Sequence, residues 1–350
     1  MNHRLSQQFL EFAKSECLGS SELYYHLSLA IAKDQELLKL AESGRKGQPT
    51  PNLFFGVAHY LLNSNLDAPL AKFFPTCSES CDRSPEEAFP DFKHFILSHR
   101  DNVTQLLATR LVQTNEVRRC AYLFPAMMYA GTWFDKRPLA LIEIGTSAGL
   151  NLLWDKYSYQ YGDWDVLGDR ESPVVIRSEC RGVIPDGLFH AMPRITQRIG
   201  LDLNIVDVTQ FEEAAWLRAL IWPEHKERRE ILDAALKHRA SFDLDLRQGN
   251  GFAMLAGIIE TIPKDSVACV YHTHVANQIT REAKESLLVE LAELGTSRDI
   301  IHIFNNIKPS LHLTLYKDGR AEDIPLANTD GHARWFEWLP SDRQDGESRL

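Results

Sequence analysis

Residues 139–157, LALIEIGTSAGLNLLWDKY, combine residue types that fit two different chemistries. The GTSAG segment at 145–149 matches the G-x-S-x-G pattern of serine hydrolases, in which Ser147 would be the nucleophile. The same segment is a glycine-rich loop after an apolar run that ends in Glu143, as expected of a loop that holds a nucleotide-like cofactor. The local residues alone allow both interpretations.

The place of this loop in the chain favours a cofactor site. In a hydrolase of this kind several strands precede the nucleophile, and one of their loops supplies part of the oxyanion hole. Here the residues before position 135 show a helical pattern, so the strand before the loop would be the first of its sheet. The first strand–helix turn is where a doubly wound sheet holds nucleotide-like ligands. We therefore predict a cofactor loop, with a serine hydrolase as the alternative.

Each conspicuous residue of the loop has a role in this prediction. Gly145 and Gly149 let the backbone come close to a ligand. Ser147 takes the place of a middle glycine, provided that its φ is negative. Glu143 can bind the positive amino group of a cofactor that carries an amino acid, and the N-terminus of the following helix can bind its carboxylate.

His272 and His274, in VACVYHTHVAN, form a second group of candidates. Because side chains alternate along an extended chain, two histidines at this spacing should point to the same side of a strand end. A histidine pKa near neutrality suits a general base for an oxygen or nitrogen nucleophile. With an acid the pair could instead bind a metal, or both rings could simply hydrogen bond to backbone. We favour catalysis, chiefly by His272, and expect no metal.

Polar and aromatic residues on either side of the loop could line a substrate pocket. Asn115, Glu116 and Arg119 interrupt an otherwise apolar helical pattern, which a solvated helix face would equally explain. Tyr157 begins an alternating run of tyrosines, which predicts a strand or hairpin with one aromatic face. That face could stack on a planar substrate or pack in the core.

The elements that must position these residues indicate an α/β protein. Residues 1–134 predict an all-helical domain, and residues 135–340 predict a Rossmann-like domain with a doubly wound, mostly parallel sheet. Residues 188–240 show a largely helical pattern, and residues 341–350 predict a disordered tail. Short apolar runs predict strands at 138–145, 172–179, 242–250, 266–272, 298–306, 311–319 and 332–338.

The composition restricts the class of partner. A formal net charge of −10 at pH 7 argues against a general affinity for nucleic acid or anionic membranes. The most apolar run, residues 120–134, is too short to cross a bilayer, and the first residues lack the pattern of a secretion signal. The six cysteines are scattered, which favours reduced thiols. We therefore expect a cytoplasmic protein that acts on a small molecule.

The sequence EIGTSAG at 143–149 resembles motif I of class I S-adenosylmethionine-dependent methyltransferases. The resemblance implies a methyltransferase-like Rossmann fold, S-adenosylmethionine as the cofactor, and methyl transfer to an oxygen or nitrogen of a small molecule. In that family the first loop holds the methionine part of the donor, which implies this role for Glu143, Gly145, Ser147 and Gly149. A member of the fold that binds the cofactor without catalysis is a further alternative.

The resemblance also implies roles for later positions. An acid after the second strand of that family binds the ribose hydroxyls. This acid is Glu179 if residues 172–179 form that strand, with Asp207 as the competitor, and the choice stays open. Gly249 and Asn250 match the position that contacts adenine, with Asn in place of the commoner Asp, and the two histidines of VACVYHTHVAN would face the substrate.

Longer segments of the chain resemble an uncharacterised bacterial family known only as a domain of unknown function. That resemblance runs over nearly the full length and implies no activity. The segments that carry it are LVQTNEVRRCAYLFPA (111–126), EIGTSAGLNLLWDKYSYQYG (143–162), WLRALIWPEH (216–225) and GHARWFEWL (331–339).

Overall fold

The computed structural model describes residues 3–78, 81, 83–135 and 137–339. The predicted tail at 341–350 lies outside these residues. The chain divides into two compact units: one contains the residues up to Thr114 together with Val208–Asp233, and the other contains Asn115–Asp207 and the residues from Ala234 onward. Residues 115–134, predicted with the helical domain, thus fall in the unit that holds the sheet.

The described residues form eleven α-helices and several single-turn helices. The α-helices are α1 (His3–Phe12), α2 (Glu22–Ile31), α3 (Gln35–Ala41), α4 (Thr50–Leu62), α5 (Ala88–Ser98), α6 (Arg100–Thr109), α7 (Cys120–Gly131), α8 (Phe211–Ala219), α9 (Lys226–Arg239), α10 (Gly251–Thr261) and α11 (Arg281–Gly295). The short 3₁₀ helices used below are Val117–Arg119, Leu150–Lys156 and Val275–Gln278.

The described residues of the first unit form helices joined by turns and loops, with no strand among them, as the sequence predicts for residues 1–114. Residues 22–42, whose apolar spacing is typical of one long helix, are divided into α2 and α3, because Asp34 adopts an extended conformation and its carboxylate accepts the N–H groups of Glu36 and Leu37. Such a side chain begins a new helix by satisfying its free donors. The core of this unit is rich in aromatic rings; Tyr24, for example, stacks on Phe55 with centroids 4.1 Å apart.

The second unit is built on one mixed sheet of eleven strands in the order β3-β2-β4-β11-β10-β9-β8-β7-β1-β5-β6. Most neighbouring pairs are parallel, which confirms the predicted α/β class and the mostly parallel sheet. The strands are β1 (Leu139–Ile144), β2 (Ser158–Tyr161), β3 (Leu167–Gly168), β4 (Val175–Arg181), β5 (Ile195–Asp202), β6 (Asp245–Gln248), β7 (Val267–His272), β8 (Ile300–Phe304), β9 (Leu311–Lys317), β10 (Arg320–Thr329) and β11 (Trp335–Trp338).

Strand β1 lies between two parallel neighbours, and every one of its residues is buried. Ile142 is opposite Ile199 of β5 on one side and Val270 of β7 on the other. Helices α10 and α11 contribute Leu255, Ile259 and Leu287 to the core on one face of these strands. A strand buried on both faces should read as a continuous apolar run, as LALIEI does.

Residues 172–179, one of the candidates that the sequence left open for the strand beside β1, do not lie there. Residues 172–179 form β4, as predicted, but β4 pairs with β2 and β11, far from β1 in the sheet. The neighbour is β5, within residues 188–240, which we predicted to be largely helical. That segment does contain α8 and α9, but Ile195–Asp202 alternates with period two and pairs with β1 and β6, so its backbone bonds go to the sheet.

Strand β10 was not predicted, because most of its residues are exposed and polar. It pairs in antiparallel fashion with β9 after the turn at Asp318-Gly319. An Asp-Gly pair between two strands is a typical two-residue hairpin turn. This dipeptide was therefore the signal that could have revealed β10.

Candidate functional site

The candidate residues all lie in the sheet-containing unit, and most of them lie at the carboxyl ends of its central strands. The strand order reverses at β1, since the next strand to pair with it, β5, lies on one side and β7 on the other. Ligands of open α/β sheets bind at such a reversal. The loops after β1, β5, β6 and β7 all begin at this edge.

The loop after β1 is closely fitted to its surroundings. Gly145 and Gly149 both have φ of +77°. A Cβ atom on Gly145 would overlap Cγ2 of Val275, and one on Gly149 would lie 2.8 Å from Cδ1 of Leu244. Both positions therefore require glycine for conformation and for space.

Ser147 differs from the prediction, because its φ is +53° rather than negative. The backbone is held there from two sides. Its N–H donates to Oδ2 of Asp202 at 2.9 Å, and its carbonyl accepts the N–H of Val206 at 3.2 Å. The Oγ atom is buried and has no hydrogen-bond partner among the described residues, so no histidine there activates it.

Asn115 does not lie on a helix, and its side chain forms hydrogen bonds that stabilise the same loop. The polar stretch around it forms an extended segment after α6, so the predicted helix across 113–116 is wrong. Its Oδ1 accepts the N–H groups of Ala148 and Leu150, each at 3.2 Å. The following helix is a short 3₁₀ helix, Leu150–Lys156, and these two N–H groups at its start are already bound. Asn115 thus binds two of the N–H groups that the predicted carboxylate site would use, and binding of a carboxylate at this helix N-terminus stays a prediction.

Glu143 is fully buried at the end of β1. Its Oε2 accepts a hydrogen bond from Oγ1 of Thr146 at 2.6 Å. Burial raises the pKa of Glu143 to about 8; hydrogen bonds from Thr146 and Asn151 and the charge of Arg119 lower it, and the charge of Asp202 adds to the rise. A buried carboxyl with this pKa is ready to ionise when a cation binds beside it.

Asp202, the last residue of β5, joins three loops. Its side chain accepts the N–H groups of Ser147 at 2.9 Å and of Asn204 at 3.0 Å, and its carbonyl accepts the N–H of Gly249 at 2.8 Å. Sequence reasoning missed this residue because it missed β5. An acid that closes an alternating apolar run, here ITQRIGLD, was the signal that could have found it.

Of the two acids that the sequence offered for this position, Glu179 lies far from the loop after β1. Glu179 is on β4, which five other strands separate from β1, and it forms an exposed ion pair with Arg181 at 2.9 Å. Asp207 lies five residues beyond the end of β5. The structure does not bring Glu179 to the loop after β1.

Gly249 and Asn250 follow β6, as predicted, and start α10. Oδ1 of Asn250 accepts the N–H groups of Phe252 and Ala253, so this side chain caps the helix. We call residues 143–149, Asp202, Gly249 and Asn250 the glycine-loop cluster.

His272 and His274 do not point to the same side as predicted. His272 ends β7, but His274 has φ of +60°, which breaks the alternation of an extended chain. His272 is fully buried, with its Nε2 atom 3.3 Å from Nε2 of His302 on β8. Burial lowers its pKa to about 4, so the ring is neutral and a weak base at pH 7.

His274 instead lies near a second group of side chains. Its N–H donates to Oδ1 of Asn305 at 2.8 Å, while its Nε2 atom is buried with no hydrogen-bond partner among the described residues. Burial lowers its pKa to about 4, with the charges of Arg119 and His332 adding to this effect.

Glu116, Arg119 and His332 complete this second group. Oε2 of Glu116 lies 3.5 Å from Nδ1 of His332, and Nε of Arg119 donates to the carbonyl of Gly331 at 3.4 Å. We call Glu116, Arg119, His274, Gly331 and His332 the histidine cluster. Sequence reasoning missed His332, although it lies in the segment GHARWFEWL, because nothing nearby in the sequence marks it.

Tyr157 and the tyrosines after it form the aromatic face of β2 that their alternation predicts. Tyr157 is fully buried, and its hydroxyl donates to the carbonyl of Leu150 at 2.6 Å. Tyr159 stacks on Phe124 with centroids 4.3 Å apart. The structure thus places Tyr157 in the core beneath the loop after β1.

Two further expectations concern metals and membranes. The described residues contain no group of three or more His, Cys, Asp or Glu side chains that could hold a metal ion. Within the same residues, no helix combines the length and the apolar character needed to cross a membrane.

Comparison with known proteins gives the family and nothing finer. The model of a family described as uncharacterized proteins conserved in bacteria, DUF2332, matches residues 6–338. No curated protein and no solved structure matches the chain. Because the match covers nearly the whole chain, the protein belongs to the DUF2332 family of uncharacterised bacterial proteins.

Proposed function

We propose that this protein binds S-adenosylmethionine in the glycine-loop cluster and transfers its methyl group to an oxygen or nitrogen of a small molecule. The observation that carries the proposal is the arrangement β6-β5-β1-β7-β8, with a glycine loop after β1 and an acid at the end of β5. This order, which reverses at β1, supports the methyltransferase-like Rossmann fold that the sequence resembles, because ligands of doubly wound sheets bind where the strand order reverses.

Glu143 fits an ammonium group. A carboxyl that is buried without a cation bonded to it has its pKa raised to about 8, and an ammonium group would favour its ionised form. Arg119 is near enough to lower this pKa but forms no ion pair with Glu143 among the described residues. The α-amino group of the donor would supply the missing positive charge.

Asp202 takes the role that the sequence offered to Glu179 or Asp207. Its carboxylate accepts two backbone N–H groups and keeps lone pairs that a ribose hydroxyl can use. Gly249, with its N–H bonded to Asp202, brings the loop after β6 beside this position. Asn250 caps α10 and would shape the adenine end of the site.

The reaction requires little from the protein beyond alignment. S-adenosylmethionine supplies an electrophilic methyl group on a sulfonium centre. The glycine loop and Asp202 would hold the donor in one pose, and alignment with the nucleophile lowers the barrier without a conspicuous catalytic motif. The role of His272 as the general base stays a prediction; its burial beside His302 and its neutral ring do not favour it.

The serine hydrolase alternative has less support. Ser147 lies in a left-handed conformation, but its Oγ atom is buried and bonded to no histidine among the described residues. A serine nucleophile needs a base within hydrogen-bond reach. We therefore keep the hydrolase only as an outcome to be tested with Ser147→Ala.

Calorimetric titration with S-adenosylmethionine and with S-adenosylhomocysteine tests the proposal. We expect micromolar binding to the wild type and a loss of about a hundredfold or more in Gly145→Arg, whose side chain would enter the loop. Gly145→Ala should weaken binding by about tenfold, because its Cβ meets Val275. Gly162→Ala is the matched control, since Gly162 also has positive φ (+56°) but has open space around it.

Two outcomes would contradict the proposal. One is the absence of binding of either ligand to a wild type that is folded by circular dichroism. The other is binding that Gly145→Arg and Gly162→Ala affect equally. Ester hydrolysis that Ser147→Ala abolishes would favour the hydrolase instead.

A further inference from the structure

The histidine cluster brings together four side chains from three separate segments of the sheet-containing unit. Glu116 directly precedes the short helix Val117–Arg119, which Arg119 ends, His274 follows β7, and His332 lies between β10 and β11. Gly331 links them: its carbonyl accepts a hydrogen bond from Nε of Arg119, and a Cβ atom on it would lie 3.9 Å from Cε1 of His274.

The cluster adjoins the glycine loop. Val275, directly after His274, is the residue that a Cβ on Gly145 would overlap. Asn115, directly before Glu116, accepts the N–H groups of Ala148 and Leu150. A molecule held by the histidine cluster would therefore lie beside a ligand of the glycine loop.

Arg119 is the group in this cluster that can bind an anion. Its side chain is half-buried, and among the described residues no carboxylate forms an ion pair with it, while its Nε atom reaches only a backbone carbonyl at 3.4 Å. A guanidinium in such a place binds a carboxylate through two parallel hydrogen bonds. The buried Nε2 atom of His274, without a partner in the described part of the chain, supplies a second polar contact.

His332 and Glu116 have the arrangement of a base and the acid that orients it. Glu116 is buried, and its other oxygen accepts the N–H of Arg118 at 3.3 Å, which fixes the carboxylate. Its Oε2 lies 3.5 Å from Nδ1 of His332, an ion-pair distance at which the two atoms do not form a hydrogen bond, and the His332 side chain is 45% exposed. Catalytic pairs are often this long without substrate and shorten when it binds.

We propose that the histidine cluster is the acceptor subsite and that it binds a small molecule carrying a carboxylate next to a hydroxyl or amine. Arg119 and His274 hold the carboxylate, and His332, oriented by Glu116, takes the proton from the nucleophile. The bond from the nucleophile to the methyl carbon forms as the carbon–sulfur bond breaks; the electron pair stays on sulfur, and the proton goes to Nε2 of His332. The reaction rests on the proposed function, whereas binding of the carboxylate does not.

The first test is nuclear magnetic resonance of the histidine rings in the full chain during titration with glycolate and, separately, with its uncharged amide, glycolamide. We expect saturating shifts of His274 and His332 with glycolate alone. Arg119→Gln should weaken glycolate binding by about tenfold or more. His94→Gln, an exposed histidine outside the cluster, should leave it unchanged. Equal shifts with glycolamide, or no saturating shift with glycolate, would overturn the proposal.

The second test reads the tautomer of His332 from its imidazole nitrogen shifts at a pH where the ring is neutral. Orientation by Glu116 requires the proton on Nδ1, and Glu116→Gln should shift the population toward the Nε2–H form. A wild-type ring with its proton on Nε2 would overturn the role as base.

Calorimetry with S-adenosylhomocysteine separates failure of this inference from failure of the proposed function. Arg119→Gln and Glu116→Gln should keep its binding within about threefold, because neither residue is assigned to the donor. Donor binding without glycolate binding would contradict the proposed acceptor subsite and leave the proposed function standing. Glycolate binding without donor binding would support a carboxylate site and contradict the proposed methyltransferase function.

Discussion

The glycine-loop cluster and the histidine cluster lie at the same edge of the sheet, but they are held in different ways. In the glycine-loop cluster, backbone groups bond to one another and to fixed side chains: the N–H groups of Gly145 and Thr146 share the carbonyl of Leu201, and Gly149 bonds back to Thr146. In the histidine cluster, the contacts are long: Nε of Arg119 reaches the carbonyl of Gly331 at 3.4 Å, Glu116 and His332 are 3.5 Å apart, and Nε2 of His274 has no partner among the described residues.

This difference indicates two kinds of binding. A loop closed by its own backbone bonds is preorganised, so it suits a ligand that never varies, as a cofactor does. Side chains with long or missing contacts can adjust to a ligand and gain bonds when it arrives. Substitutions in the first cluster should therefore change stability as well as ligand affinity, whereas those in the histidine cluster should chiefly change ligand binding.

Glu143→Gln should give the largest change in stability. Burial raises the pKa of Glu143 to about 8, so between about pH 4 and pH 8 the folded protein keeps a proton that the unfolded chain releases. Its stability therefore falls as the pH rises through this range. Gln keeps an acceptor for Thr146 and cannot ionise. We expect the variant to exceed the wild type in free energy of unfolding by about 3–5 kcal/mol at pH 8 and by little at pH 4.

Urea denaturation at several pH values measures this difference. Glu171→Gln, at an exposed position, is the control and should parallel the wild type. The same Glu143→Gln variant should lose donor affinity, because it cannot become the anion that an ammonium group requires. A constant difference between variant and wild type at all pH values would show that Glu143 is ionised in the folded protein.

His272→Leu should change the pH dependence of the free energy of unfolding below about pH 6.5. There the effect has the opposite sign to that of Glu143, because the free energy of unfolding falls as the pH is lowered. The pKa of His272 is lowered to about 4, so below about pH 6.5 the unfolded chain takes up a proton that the folded ring does not, and stability falls with the pH. Removing the ring should recover about 2–3 kcal/mol between pH 6.5 and pH 4.5. Denaturation at these two pH values, with His94→Gln as the control, measures it. If the free energy of unfolding of the variant changed with pH as it does in the wild type, groups other than His272 would cause the loss of stability in acid.

Asp202→Ala should have the next largest effect on the free energy of unfolding. It leaves the N–H groups of Ser147 and Asn204 without their acceptors, which should lower the free energy of unfolding by about 2 kcal/mol. Glu179→Ala is the matched control, because its carboxylate is exposed and, within the described part of the chain, bonds only to Arg181, so the substitution should leave thermal unfolding unchanged. Donor binding should be lost in the first variant and kept in the second. Loss of donor binding in Glu179→Ala would indicate that Glu179, and not Asp202, binds the ribose hydroxyls.

The sequence predicted the glycine-loop cluster better than the histidine cluster, and Asp202 and His332 show which residues it could not predict. The loop after β1 is set by residues adjacent in the chain, so its glycines and Glu143 could be recognised from the pattern LALIEIGTSAG. Asp202 depends on β5, whose short alternating run lies among stronger helical patterns. His332 depends on a contact with Glu116 across more than two hundred positions, formed only when β10 and β11 fold. Local sequence patterns predict helices and strands. Contacts between distant segments can be predicted only when the order of the strands in the sheet is known.

Tyr157→Phe should give the smallest effect and tests the remaining prediction for a pocket residue. The variant loses one buried hydrogen bond, from the Tyr157 hydroxyl to the carbonyl of Leu150, and keeps the ring. We expect the free energy of unfolding to fall by about 1 kcal/mol, while the affinities for S-adenosylhomocysteine and glycolate stay the same. Urea denaturation and the titrations described above measure both. If ligand affinity fell while stability did not, Tyr157 would belong to the substrate wall that its alternating pattern first suggested, and the core beneath the loop would have to open toward the ligand.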